Sequence, residues 1–67
     1  MIEIQLNGKL HSLADQSSVL EMLAAVGYAG RPVLVEVNLR ALLASEHATT
    51  MLQSGDRVEM IQIVAGG

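Results

Sequence analysis

Residues 2 to 13 constrain the fold more than any other stretch of the chain. Ile2, Ile4 and Leu6 alternate with Glu3 and Gln5, the period-two pattern of a half-buried strand. Asn7-Gly8 follows at once, and that pair suits a two-residue turn with positive φ angles. Lys9 to Leu13 should therefore return antiparallel to the first strand, so the chain opens with a hairpin. A hairpin alone is marginal in water, so later segments must cover one of its faces.

The cover is expected from a helix. Ser18-Val19-Leu20-Glu21 has the form of a capping box, in which the serine hydroxyl and the glutamate carboxylate each satisfy a main-chain amide of the first turn. Val19, Leu20, Leu23 and Val26 then recur at helical spacing, and Gly27 supplies the left-handed conformation that closes many helices. Pro32 precedes the β-branched run Val33 to Val37, which reads as a strand ending at a bend on Asn38. Leu39 to Leu52 carries mixed signals, and short strand and helical turns are expected there. Ser54-Gly55-Asp56 marks a turn before a last strand, Arg57 to Val64. Along it Val58, Met60 and Gln62 share one face, while Arg57, Glu59, Ile61 and Ile63 share the other.

The order hairpin, helix, strand, irregular segment, strand predicts an α+β domain with one main helix packed across a mixed sheet of four to five strands. With 67 residues only one such domain fits. The chain is 51% hydrophobic yet has no Phe or Trp and a single Tyr, so its core must be aliphatic, with Met1, Met22, Met51 and Met60 as adaptable filler. The absence of Cys removes disulfides, thiolate metal sites and a nucleophilic thiol of the chain's own. A net charge of −3, with Lys9, Arg31, Arg40 and Arg57 scattered, argues against a nucleic-acid partner. No apolar run is long enough for a signal peptide or membrane span, so a cytoplasmic location and no membrane partner are expected.

Few residues are candidates for chemistry. His11 and His47 lack neighbours at metal-ligand spacing and are expected on the surface. Asp56 and Glu59 read as ordinary solvated acids. Nothing forms a phosphate cradle or a dinucleotide fingerprint, and no metal or bound cofactor is expected. The remaining candidate is the run Ile63-Val64-Ala65-Gly66-Gly67, where Gly67 offers a carboxylate and Gly66 and Ala65 form a thin strip able to enter a narrow channel. Ile61 and Ile63, on the face away from the helix, are candidates for a partner-docking patch.

Four features together resemble the sulfur carriers of the ThiS/MoaD group within the ubiquitin-like β-grasp family, most of all the ThiS type. They are Ile2-Glu3-Ile4-Gln5-Leu6-Asn7-Gly8, Val37-Asn38, Ser54-Gly55-Asp56-Arg57-Val58-Glu59 and Gly66-Gly67. The resemblance spans the whole chain. It implies a β-grasp domain over residues 1–64 with first and last strands adjacent at the sheet centre, and a flexible reactive tail over residues 65–67. It departs from the family pattern at Leu39, where Gly is usual, at Leu42-Leu43 in place of Val-Pro, and at Glu46-His47 in place of Glu-Trp.

What the resemblance implies for function is a protein co-substrate, not an enzyme. A ThiF-like adenylyltransferase would activate the Gly67 carboxylate with ATP and magnesium. A cysteine desulfurase would supply sulfur indirectly, and the resulting thiocarboxylate would serve a ThiG-like thiazole synthase of thiamine biosynthesis. A carrier for molybdopterin, cysteine or another product, a ubiquitin-like modifier of lysines and a non-reactive binding module are the alternatives.

Overall fold

The computed structural model describes residues 1–64. Strands β1 (Ile2–Leu6) and β2 (Lys9–Leu13) form the expected hairpin, with Leu6 opposite Lys9 across Asn7-Gly8. Helix α1 (Val19–Ala25) follows, then β3 (Val33–Val37), β4 (Arg40–Leu42), a 3-10 turn over Ala44–Glu46, and β5 (Arg57–Gln62). The five strands make one sheet in the order β2-β1-β5-β3-β4. Among the described residues only the β1–β5 pair is parallel, and the strand order places the first and last strands side by side at the centre. This is the β-grasp architecture.

The ends of α1 account for their main-chain groups almost completely. At the start, Ser18 Oγ accepts from Glu21 N at 3.0 Å and Glu21 Oε1 accepts from Ser18 N at 2.9 Å, which closes the capping box. The next two amides, Val19 N and Leu20 N, donate to Thr50 O and His47 O, both at 2.9 Å. Hydrogen bonds from Ser18 favour the ionised carboxylate of Glu21 and lower its pKa below the usual 4.5. At the far end Tyr28 N donates to Leu23 O at 2.8 Å and Gly27 N to Ala24 O at 3.2 Å. Gly27 stands at φ +86°, the left-handed residue this closing motif requires.

The core forms where α1 lies on the sheet. Ile4, Val35 and Val58 from the three central strands are fully buried against Val19 and Met22, with Leu6, Leu13, Leu23, Leu42 and Leu52 closing the rim. Met22, not Leu20, completes the helix stripe. With roughly 100° of rotation per residue, Val19, Met22, Leu23 and Val26 cluster in direction while Leu20 falls a quarter-turn away and stays exposed. Met1 and Met51 are exposed as well, so of the four methionines only Met22 is fully buried and Met60 packs partly against the core.

Two further expectations need correction. His47 is buried, not on the surface, because its carbonyl is tied to the start of α1 and draws the residue under the loop. Its Nε2 has no hydrogen-bond partner among the described residues. The last strand ends at Gln62, although Ile63 N still donates to Pro32 O at 2.9 Å. The mixed signals of residues 39–52 resolve into β4 and the 3-10 turn. Glu46 organises that turn by accepting from Leu43 N at 2.8 Å and from the Arg40 guanidinium at 2.9 Å.

Candidate functional site

The site is built around β5, the strand that leads toward residues 65–67. Its main-chain groups alternate between two neighbours. Asn38 N donates to Arg57 O at 2.7 Å and Ile63 N donates to Pro32 O, so odd-numbered residues face β3. Gln5 N donates to Asp56 O and Asn7 N to Val58 O, both at 2.9 Å, so even-numbered residues face β1. The turn before β5 is sewn to β1 as well, with Gly55 N on Glu3 O at 2.9 Å and Glu3 N on Ser54 Oγ at 3.1 Å.

Two asparagines extend this fastening beyond the strand pairs. Asn7 stands at φ +50° in the first hairpin turn, and its side-chain amide acts as an extra strand residue. Its Oδ1 accepts from Met60 N at 2.7 Å and its Nδ2 donates to Met60 O at 3.1 Å. Asn38, at φ +51° in the turn between β3 and β4, holds the other flank. Its Oδ1 accepts from Arg57 N at 2.9 Å and its Nδ2 donates to Asp56 Oδ1 at 3.0 Å. Asp56 is thereby a turn organiser, since its other oxygen accepts from Gln53 N at 2.8 Å. An amide carries both a donor and an acceptor, so it can replace a peptide unit in a ladder.

Neither bracing role is visible from local pattern, where both asparagines mark turns only. The available signal is the residue type: Asp or Gly would also suit a positive φ, but only Asn adds a paired donor and acceptor.

On the face away from α1, Ile61 and Ile63 are 57% and 54% exposed. Leu34, directly opposite Ile61, is 38% exposed and joins them in one apolar patch. Glu36 and Glu59 stand opposite each other one row along, and Arg57 Nε lies 3.4 Å from Glu59 Oε1. The structure thus brings Ile61 and Ile63 together at the outgoing end of β5. Ala65, Gly66 and Gly67, the sequence candidates for the reactive tail, lie outside the described residues. His11 and His47 sit on different elements, and among the described residues no group of three or more His, Asp or Glu could hold a metal. No helix among them is long and apolar enough to cross a membrane.

Comparison with known proteins agrees with this geometry. The crystal structure of the thiamine biosynthesis protein ThiS from Geobacter metallireducens superposes with a TM-score of 0.84 at 30% identity, covering 98% of this chain and all of that one. The NMR structure of a thiamine biosynthesis protein from the same organism gives 0.80 at 30% identity, covering 98% of this chain and 88% of the other. A thiazole synthase of Magnetococcus marinus is 27% identical over 66 residues. That match takes in 98% of this chain but spans only 20% of the synthase's length. The model of the ThiS family matches residues 4–67, which includes β5 and the two terminal glycines. A fold with its first and last strands paired at the centre, and a family match that runs to Gly67, assign the chain to the ThiS family.

Proposed function

We propose that the protein is a sulfur carrier for thiazole formation in thiamine biosynthesis, acting through the Gly67 carboxylate. The observation that carries this reading is the bracing of β5 on both flanks by Asn7 and Asn38, in a chain whose family match extends through Gly66-Gly67. A braced strand gives a partner a rigid handle, and Ala65 and Gly66 give it a side-chain-poor strip to admit.

The chemistry follows from the weakness of a carboxylate as an acyl donor. Its oxygen attacks the α-phosphorus of ATP, pyrophosphate leaves, and the acyl-adenylate carries AMP as a good leaving group. A sulfur nucleophile then displaces AMP, and the carrier is left with a thiocarboxylate. A ThiF-like adenylyltransferase supplies the ATP and magnesium chemistry, a cysteine desulfurase mobilises the sulfur, and a ThiG-like thiazole synthase receives it. The occurrence of a segment similar to this whole chain within a thiazole synthase supports the last step. The carrier contributes recognition and reach, and catalysis belongs to its partners. Ile61, Ile63 and Leu34 form the docking patch in this scheme, because an exposed apolar cluster beside a reactive tail marks an interface.

The test is ATP–pyrophosphate exchange with a ThiF-like enzyme. Gly67→Val should fold as the parent does and lose exchange, because the added branched side chain blocks the narrow approach. Exchange by Gly67→Val at the parent rate would refute the proposal. Ile61→Asp should raise KM for the carrier severalfold while lowering thermal stability only modestly, since Ile61 lies outside the core and loses only its exposed pairing with Leu34.

A further inference from the structure

The two flanks of β5 are not equally covered. On the β3 side, pairing continues from Arg57 through Ile63. On the other side, β1 pairs only through Gln5 and Leu6, and the chain turns away at Asn7-Gly8 into β2. Asn7 fills one more place in that ladder with its side chain, occupying both main-chain groups of Met60. Beyond it the ladder stops while β5 continues.

Parity fixes what is left over. Val33 and Gln62 are opposite each other between hydrogen-bonded pairs, so the N–H and C=O of Gln62 point away from β3, toward the space β1 has vacated. Neither Gln62 nor Val64 has a main-chain partner there among the described residues. Open edges are normally protected by lysine, proline or a bulge, which prevent unwanted pairing. Between Val58 and Val64 there is no Lys or Pro, and Gln62, Ile63 and Val64 are all exposed.

We infer that this open edge is a strand-addition site, taken up by an extended main-chain segment of the activating enzyme. The inference rests on the sulfur-carrier reading above. The added segment would continue the ladder where Asn7 ends it, bonding the Gln62 N–H and C=O and running on alongside Val64 toward the tail. Main-chain bonds supply the affinity in this mode of recognition, and alternating side chains supply selectivity. Here Ile61 and Ile63 stand on one face and Gln62 on the other. The occupant is identified by continuity, because the edge leads into Ala65-Gly66-Gly67, so the protein that holds the carboxylate must lie beside it. A second copy of this chain is the poorer fit, since it would gain only these few main-chain bonds, whereas the enzyme that takes the carboxylate also meets the exposed Ile61 and Ile63.

The experiment uses the 67-residue chain made by chemical synthesis, with the Gln62 N–H replaced by an ester oxygen. The replacement removes one donor without adding bulk. That donor has no partner among the described residues, so the melting temperature should fall only by the small amount that a weaker ester carbonyl at Ile61 costs the pairing with β3. KM for the carrier in ATP–pyrophosphate exchange should rise, roughly five- to tenfold for one lost hydrogen bond, with kcat little changed. In amide exchange by NMR, the Gln62 N–H of the parent should be fast in the free protein and protected on adding the enzyme.

An unchanged KM together with an unprotected Gln62 amide in the complex would overturn the inference while leaving the sulfur-carrier reading intact. Protection that grows with carrier concentration in the absence of enzyme would overturn it in favour of self-association. No exchange activity with the unmodified chain would instead defeat the sulfur-carrier reading on which it rests.

Discussion

The two hairpins of this domain share one backbone solution but not one sequence solution. The β1–β2 turn is Asn7-Gly8 at φ +50° and +82°, and the β3–β4 turn is Asn38-Leu39 at +51° and +71°. Two consecutive positive φ angles give the turn that best matches the right-handed twist of paired strands. Glycine meets the second position without strain, whereas a leucine there brings its Cβ against the backbone at a cost of about 1–2 kcal/mol. Leu39 recovers little by packing, because it is 73% exposed. The β3–β4 turn holds its shape because Asn38 is pinned to Arg57 and Asp56, and Asp56 in turn to Gln53. Anchoring by the first residue offsets a poor second residue.

The two asparagines carry the largest expected effects. Asn7→Ala should cost about 3 kcal/mol in urea unfolding, by placing alanine at positive φ and leaving both main-chain groups of Met60 without their partner. Asn38→Ala should cost about 2 kcal/mol, somewhat less, because Asp56 keeps its bond to Gln53 N and only one main-chain group of β5 is released. Losses of no more than about 1 kcal/mol at both positions would mean that the side-chain bonds do not matter and both residues serve only as turn formers.

Smaller effects come from exchanging the second turn positions. Gly8→Leu should destabilise by about 1 kcal/mol, since no neighbour lies within 4 Å of an added Cβ and the cost is conformational alone. Leu39→Gly should stabilise by about 0.5–1 kcal/mol, relief of strain exceeding the entropy that glycine adds to the unfolded chain. If Leu39→Gly destabilised the protein, Leu39 would have to make a contact that its exposure gives no sign of.

Local pattern carried much of the fold. The alternation of Ile2, Ile4 and Leu6, the Asn7-Gly8 turn, the Ser18–Glu21 capping box and Gly27 each specify their element from neighbours a few positions away. The parity of β5 also placed Ile61 and Ile63 on the face away from the helix, where they are found. What remained hidden depends on distant partners. Asn7 and Met60 are 53 positions apart, and nothing near Asn7 announces that its amide will complete a ladder. His47 reads as an isolated polar residue, yet its carbonyl caps α1 and takes the ring inside. Leu20 is apolar and lies within the helical run, yet its angle turns it about 100° from Val19 and into solvent. Leu39 is a local departure from what a two-residue turn prefers, and its strain appears only once that turn is known.

Sulfur transfer to Gly67 would change the mass of the chain, and intact mass spectrometry reads that change. The carrier is incubated with a ThiF-like enzyme, ATP and magnesium, cysteine and a desulfurase, and then fragmented to locate any change. A gain of roughly 16 Da confined to Gly67, as sulfur replaces a carboxylate oxygen and leaves a thiolate-like acyl sulfur, is the predicted result. An unchanged mass under conditions in which a ThiS protein of known activity is converted, or appearance of the chain in amide linkage to lysines of other proteins, would contradict it.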